Sequence, residues 1–379
     1  MKDGLIRCGN EARLSALWEK GRAGESLCIA FIGGSITQGA RAEKEEYAYA
    51  ALVFKWFQRT FPTSKCRYVN AGIGATTSQF GAARVKEDVL AFKPDIVFVD
   101  FSVNDNDEAP FTSREIFKES YEGLLRQLLY DISSRPAVVL LHNVWYDDGH
   151  SEEAMHAALG TYYDVMSISI RQSVYEELLA GHIKIEEISP DALHPNDRGH
   201  ALLAAVITDV LERQYRKSKT DAARADIFLK EPLTENHYEK IRRWNRRNTA
   251  PLLNGFYADS MKQEGVRDVF KNGWFSERSG ASVTFCVWGG EIGVMYKKTV
   301  QRPAPLAVAV LDGHEEEAVI LDAAFAENWG DKACFQMILH HGVQAGLHML
   351  TIRLVTGQKG CPFYLINVIA ERVEKQDRK

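Results

Sequence analysis

The sequence predicts an α/β domain built on a parallel sheet, followed by a smaller domain of antiparallel strands. In the first two thirds of the 379 residues, short apolar runs alternate with helical patterns, which is typical of βαβ units. Later in the chain, short alternating runs broken by glycine indicate a β-sandwich. The expected organisation is an α/β domain over residues 1–215, a linker over 216–260 and a β-sandwich domain over 261–379.

Five apolar runs of strand length are expected to form the parallel sheet. Strands covered by helices on both faces are apolar throughout, and several of these runs are. The runs are 27–32, 67–70, 95–101, 137–141 and 165–170. The helical patterns between and after them are 45–60, 81–92, 113–132, 151–163, 171–180 and 197–215.

Residues 216–260 are polar and charged, and we expect a linker with helical turns there. The basic run 242–247 is the one hint of nucleic-acid binding, but with a net charge of −5 we expect a solvated helix face there. The β-domain follows, with Asp312-Gly313 as a hairpin signal. Its expected strands are 282–288, 292–296, 306–311, 318–321, 348–354 and 363–370.

The charge balance excludes several kinds of partner. The chain has 46 Lys and Arg against 51 Asp and Glu, a net charge of −5, which argues against coating nucleic acid or an anionic membrane. The first ten residues lack a signal-peptide layout, and no apolar run approaches the roughly 18 residues of a membrane span. The six cysteines form no CxxC pair. We therefore expect a cytoplasmic protein that binds neither nucleic acid nor membranes.

A serine follows the first apolar run and two glycines, at Gly33-Gly34-Ser35. The glycines permit a tight turn, and a helix N-terminus favours developing negative charge. Ser35 is therefore a candidate nucleophile. A phosphate-binding turn and a plain helix cap are the alternatives.

The pattern Asp191-Ala-Leu-His194 lies just before the last helical segment. An aspartate three residues before a histidine can orient the imidazole and stabilise its protonated form, as the third member of a catalytic triad does. The alternative is a local turn at Asp191 with the histidine packed by Pro195.

Two further segments follow predicted strands and carry candidate oxyanion donors. Residues 70–77 contain glycines that can bring backbone N–H groups close to a bound oxygen. Residues 99–105 end in polar side chains, and the Asn104 amide is suited to stabilising an oxyanion. The alternative is that Asn104 or Asp105 caps the next helix.

These four segments, in order over about residues 25–215, resemble the four sequence blocks of the SGNH (GDSL-type) hydrolases. The resemblance implies a flavodoxin-like three-layer α/β/α domain, with the site at the carboxyl ends of the strands. It implies Ser35 as the nucleophile, His194 as the general base and Asp191 as its partner, with no metal and no cofactor. The implied oxyanion donors are the N–H of Ser35, the amide of Asn104, and the N–H of Gly74 or Ala75.

The sequence departs from the family pattern at two positions. Gly34 stands where the family name has aspartate, and this resembles a subgroup of carbohydrate esterases with Gly-Gly-Ser-Ile-Thr. Ala75 falls where the oxyanion glycine belongs when Asn70 and Arg84 are aligned with the second block. A backbone N–H serves from alanine too, unless the turn requires a positive φ. Gly74 and Ala75 therefore both stay candidates.

The loop after the fourth strand should also lie at the rim of the site. Trp145 is a candidate for stacking on a sugar ring and Asn143 for binding its hydroxyls, while an ordinary surface loop with an anchoring tryptophan is the alternative. His142, His150 and His156 are spaced by eight and six residues, which matches no standard ligand pattern, so no metal is expected.

The C-terminal region resembles the jelly-roll β-sandwich domain that accompanies some SGNH carbohydrate esterases. Sugar binding by this domain would require exposed aromatic side chains, and Trp274, Trp288 and Trp329 are candidates. Because Trp288 lies within a strand-like run, we expect it in the sandwich core.

The expected function is a serine esterase that removes small acyl groups, acetyl above all, from a carbohydrate. The alternatives are a lipase, lysophospholipase or thioesterase of the same family, and a carbohydrate-binding protein without turnover. The expected partners are an acylated carbohydrate and, where subunits associate, a second copy of the chain.

Overall fold

The chain divides between Asn236 and His237 into two units, each with its own sheet. A computed structural model describes residues 3–106, 113–218, 226–327, 329–340 and 345–371. The division lies within the segment predicted as a linker. None of the helices in these described ranges is long and apolar enough to cross a membrane.

The first unit is built on a six-stranded sheet with the order β1-β6-β5-β4-β2-β3. Strand β1 is antiparallel to β6, and the other neighbours are parallel. The five parallel strands therefore have the flavodoxin-like order, in which a ligand site is expected where β2 and β4 lie side by side. The strands are β1 Leu5–Arg7, β2 Leu27–Gly33, β3 Cys66–Gly72, β4 Ile96–Asp100, β5 Ala137–His142 and β6 Met166–Ser169.

Helices cover both faces of this sheet, which confirms the predicted α/β/α domain. Strand β2 is buried at every position, because alternate side chains pack against opposite helical layers. On one face, Phe31 stacks on Phe98 with ring centroids 4.8 Å apart, in a core shared with α1, α3 and α9. The helices are α1 Ala12–Arg22, α2 Ser35–Gln38, α3 Tyr49–Thr60, α4 Ser78–Asp88, α5 Arg114–Leu129, α6 Glu153–Tyr162, α7 Glu176–Leu179, α8 Ile185–Ile188 and α9 Asp197–Lys217. Short 3-10 turns are Glu45–Tyr47, Leu90–Phe92, His237–Glu239 and Glu315–Glu317, and Arg171–Tyr175 is a π-helical turn.

A buried carboxylate on α5 anchors the last described segment of the first unit. Glu122 accepts hydrogen bonds from the N–H groups of Leu233 and Thr234, at 2.7 and 2.8 Å. Nearby, the Tyr130 hydroxyl accepts a bond from the N–H of Lys230 at 3.0 Å. These bonds hold residues 226–236 against the α/β domain, beyond the expected limit at residue 215.

The second unit is an antiparallel sheet organised around one long strand, which confirms a β-domain after the α/β domain. The first half of β11 pairs with β15 and β8, and its second half pairs with β14 and β16. The register shifts between Trp288 and Ile292, near Gly289, whose φ is 146°. The strands are β7 Ile241–Trp244, β8 Leu252–Asn254, β9 Tyr257–Ala258, β10 Trp274–Ser276, β11 Ser282–Lys298, β12 Leu306–Leu311, β13 Val319–Asp322, β14 Lys332–Leu339, β15 Gly346–Thr356 and β16 Phe363–Glu371.

The two halves of this sheet enclose one core. Phe285 from the first half of β11 meets Trp274 of β10 edge-on, with ring centroids 4.9 Å apart. Trp274 is 1% exposed, whereas Trp288 is 37% exposed. The expectation that Trp288 fills the core is therefore wrong, because its side chain falls on the outward face of β11, opposite Leu347. Trp329 is also exposed.

Residues 241–258 differ from the predicted linker with helical turns. They form β7, β8 and β9, and the basic residues Arg242 and Arg243 lie opposite Ala370 and Ile369 of β16. A strand pairing therefore replaces the expected solvated helix face.

Removal of the Glu122 carboxylate should release residues 226–236. The variant Glu122→Ala leaves two backbone N–H groups without acceptors, and we expect it to lose about 2–4 kcal/mol of unfolding free energy. Trypsin should then cleave after Lys230 in the folded protein, and Tm should fall. Glu25→Ala, at an exposed glutamate, is the matched control. Cleavage and Tm unchanged from the parent would contradict the anchoring role.

Candidate active site

Ser35 begins α2, directly after the carboxyl end of β2. Gly33 lies between Gly72 of β3 and Asp100 of β4 in the register of the sheet. A Cβ on Gly33 would overlap the side chain of Thr37 and the carbonyl oxygen of Asp100. Glycine is therefore required for the chain to turn here, and the turn carries Ser35 to the point where three strands end.

The structure brings Ser35, His194 and Asp191 into one hydrogen-bonded chain. His194 Nε2 lies 2.9 Å from Ser35 Oγ, and His194 Nδ1 lies 3.0 Å from Asp191 Oδ2. The network assigns the ring proton to Nδ1, because a carboxylate can only accept there. Nε2 is thus an acceptor for the Ser35 hydroxyl.

A tight turn sets the aspartate against its histidine. Ala192 has a φ of 60°, and the turn lets Asp191 Oδ1 accept the N–H of His194 at 2.8 Å. Burial raises the pKa of Asp191, but hydrogen bonds from the N–H and imidazole of His194 outweigh it and bring the pKa to about 2. Arg41, whose role the sequence did not suggest, places its Nε 3.2 Å from Asp191 Oδ2. The carboxylate therefore stays ionised beside the imidazole.

Asn104 lies immediately against the turn that carries the serine. A Cβ added to Gly34 would overlap the Asn104 Oδ1, so the side chain of Asn104 occupies the space that any larger residue at position 34 would need. Within the described residues, the side-chain amide of Asn104 has no hydrogen-bond partner.

The two backbone candidates for the oxyanion site differ in their hydrogen bonding. The N–H of Gly74 donates to Gln38 Oε1 at 2.6 Å and is engaged. In the described ranges, the N–H groups of Ala75 and Ser35 have no partner. Ala75 has a φ of 55°, the left-handed conformation, which costs a residue with a side chain about 1–2 kcal/mol. The turn therefore does need a positive φ, and alanine adopts it.

Asp105, the residue after Asn104, forms a buried hydrogen bond with His156. Asp105 Oδ2 is 3.1 Å from His156 Nε2, and Asp105 Oδ1 accepts the N–H of Ser78 at 2.8 Å. Ser78 is the first residue of α4, which follows the turn containing Ala75. Asp105 therefore connects the segments that carry two of the predicted oxyanion donors. The sequence offered only a cap role for it and a discounted metal role for His156.

The predicted sugar-binding residues Asn143 and Trp145 have different environments. Asn143 is 1% exposed, and its Nδ2 donates to Asp100 Oδ2 at 2.6 Å. The expectation that Asn143 binds sugar hydroxyls is therefore not supported, because its side chain points into the protein. Trp145 is half-buried, with its indole nitrogen inaccessible. Its neighbour Tyr146 donates its N–H to the Ala192 carbonyl at 2.7 Å, so this loop does contact the loop of the histidine.

A serine, histidine and aspartate in hydrogen-bond contact at the switch point of a flavodoxin-like sheet define a class of hydrolase. Residues 31–202 match the GDSL-like lipase/acylhydrolase family. The chain belongs to this family, and it is a hydrolase that acts on ester bonds.

Similarity to one solved structure extends over both units. The chain is 41% identical to a two-domain esterase active on acetylated mannans and crystallised with mannopentaose, with a TM-score of 0.90 and coverage of 98% of both chains. It is 29% identical to the acetylxylan esterase of Geobacillus stearothermophilus, over 52% of this chain and 98% of that protein. It is 27% identical to thioesterase 1/protease 1/lysophospholipase L1 of Escherichia coli K12, over 48% of this chain and 82% of that protein.

The ionised Asp191 should stabilise the folded chain in a defined pH range. Its folded-state pKa of about 2 lies below the ordinary 3.8, so its stabilisation is fully present above about pH 4 and is lost as the pH falls through about 2. We expect the difference in urea midpoint between the parent and Asp191→Asn to shrink over that range. Asp147→Asn, at an exposed carboxylate, is the control. A difference that stays constant down to pH 2 would contradict this account.

A methyl group at position 34 should displace Asn104 without unfolding the domain. Loss of one oxyanion donor typically lowers the rate about 10²–10³-fold, and we expect Gly34→Ala to reduce kcat for p-nitrophenyl acetate by that order. Gly265→Ala is the control, because a Cβ there meets nothing within 4 Å. Full activity in Gly34→Ala would show that the Asn104 side chain tolerates displacement.

Proposed function

We propose that this protein is a serine esterase that removes acetyl groups from a carbohydrate through an acyl-enzyme. The observation that carries the proposal is the chain of hydrogen bonds from Ser35 Oγ to His194 Nε2 and from His194 Nδ1 to Asp191. It occurs in a protein similar over nearly its full length to an esterase active on acetylated mannans.

The first step is acylation of the serine. His194 Nε2 takes the hydroxyl proton as Ser35 Oγ attacks the acetyl carbonyl carbon, and a tetrahedral oxyanion forms. The ionised Asp191 stabilises the imidazolium and holds the ring in the tautomer that leaves Nε2 as the base.

The oxyanion is stabilised by donors that are free before substrate binds. These are the N–H groups of Ser35 and Ala75 and the amide of Asn104. Gly74 is left out of this set, because its N–H already donates to Gln38. Ala75 is thus our choice between the two backbone candidates.

The second half of the reaction releases the products. His194 returns its proton to the sugar oxygen, and the deacetylated carbohydrate leaves as the alcohol. Water then attacks the acetyl-enzyme with His194 again as the base, and acetate is released.

The proposed substrate is an acetylated mannan or mannooligosaccharide. The support is that 41% identity extends over 98% of both chains, whereas the match to the acetylxylan esterase covers 52% of this chain. Long-chain esters are the second candidate, favoured by the similarity to the Escherichia coli thioesterase and lysophospholipase. A carbohydrate-binding protein without turnover is disfavoured, because serine, base and free donors lie together.

The decisive experiment compares the parent with Ser35→Ala. We expect the parent to release acetate from acetylated mannooligosaccharides and to prefer p-nitrophenyl acetate over butyrate and palmitate. Ser35→Ala should lose at least about 10³-fold in kcat, because it lacks the nucleophile.

Ser173→Ala, at another buried serine of the same unit, is the matched control and should keep its activity. Equal activity in Ser35→Ala and the parent would reject the mechanism. Preference for palmitate would favour the lipase alternative, and release from acetylated xylan but not mannan would reject the proposed sugar.

A further inference from the structure

Gln38 binds the backbone of the turn that carries the proposed oxyanion donor. It is the last residue of α2 and lies one helical turn after Ser35. Its Oε1 accepts the N–H of Gly74 at 2.6 Å, and a Cβ on Gly74 would lie 3.7 Å from the Cβ of Ser35. The glutamine therefore holds the turn at a residue that lies beside the nucleophile.

The residue type at position 75 disfavours the backbone conformation that this turn requires. Ala75 adopts a φ of 55°, where glycine is the favoured residue and alanine is not. A strained conformation persists only when the surrounding contacts over-determine it. The position of the Ala75 N–H consequently depends on what holds Gly74 and Thr76 on either side.

Two other hydrogen bonds hold this turn at residues other than Gly74. The N–H of Ile73 donates to the Gly33 carbonyl at 3.1 Å, and the Thr76 hydroxyl donates to the Ile73 carbonyl at 2.7 Å. The Ile73 carbonyl and the Gly74 N–H belong to one peptide group, so the Thr76 bond holds that peptide from within the turn. Gln38 holds the same peptide from outside the turn and ties it to α2, the helix that begins with Ser35.

We propose that Gln38 is a positioning residue for ester hydrolysis, which holds the strained turn so that the Ala75 N–H meets the oxyanion. The proposal rests on the proposed function and adds a residue outside the four sequence blocks. It also explains how an alanine serves where the family pattern has glycine, because a side-chain clamp supplies the restraint that the residue type lacks.

Two consequences distinguish this role from general stability. The contact acts on a donor that engages only the oxyanion, so its loss should lower kcat and leave KM nearly unchanged. The clamp should matter less when residue 75 favours the conformation by itself. The effects of changing Gln38 and Ala75 are therefore expected to be coupled.

The test is a double-mutant cycle with p-nitrophenyl acetate. Gln38→Met removes the acceptor at similar length, and we expect kcat to fall about 10- to 100-fold with KM within about two-fold, since small misplacements at a site cost that much. In an Ala75→Gly background, Gln38→Met should also lower kcat, but by a factor at least about five times smaller than in the parent. The reason is that glycine holds the turn without the clamp.

Gln58→Met, at an exposed glutamine of α3, is the matched control, and Tm is measured for every variant. If Gln38→Met does not fold, Gln38→Ala removes the same acceptor without added bulk. An unchanged kcat, a rise in KM alone, or equal factors in the two backgrounds would overturn the proposal. Ser35→Ala measured in parallel reports separately on the proposed function.

Discussion

The site depends on the close approach of three backbones at the ends of β2, β3 and β4. Gly33 pairs with Gly72 on one side and Asp100 on the other. A Cβ on Gly72 would overlap the backbone of Gln38. The glycines at the ends of β2 and β3 allow these strand ends and α2 to meet, and the serine, the side-chain amide of Asn104 and the turn of Ala75 are all positioned by that meeting. The geometry of the candidate site thus depends first on close backbone packing, to which the side-chain contacts of Asp191 and Gln38 are added.

Two aspartates of the first unit lie in different electrostatic environments: Asp191 is exposed and ionised, and Asp100 is buried. Asp191 is half-exposed, and its hydrogen bonds keep it charged beside His194. Burial raises the pKa of Asp100, and the hydrogen bonds from Asn143 and Ser102 offset that rise only in part. Asp191 supports the imidazole of His194, whereas the buried Asp100 orders the ends of the strands through its hydrogen bonds with Asn143 and Ser102.

The sequence predicted those parts that short segments determine. The apolar runs predict the five parallel strands, and the family blocks select Ser35, Asn104, Asp191 and His194. The contact of Gln38 with Gly74 escaped prediction, because 36 residues separate them and the contact exists only once β3 lies beside α2.

Other differences arose where a pattern does not specify orientation. A polar residue at a strand end can face solvent or the interior, and Asn143 takes the second course to satisfy the buried Asp100. The glycines after Trp288 suggested a break between two strands. In the structure they lie within β11 and carry its change of register, because glycine serves a bulge as readily as a turn.

The continuity of β11 has a consequence for how the second unit tolerates insertion and deletion. Strand β11 pairs with both halves of the sheet. The number of residues along it therefore determines which side chains face inward and which face outward in each half. A single residue added near the middle of β11 would move either half by one position, and each side chain there would change face. Insertions and deletions among descendants of this chain should therefore occur in the connections between strands, such as the turn at Asp312-Gly313, and not within β11.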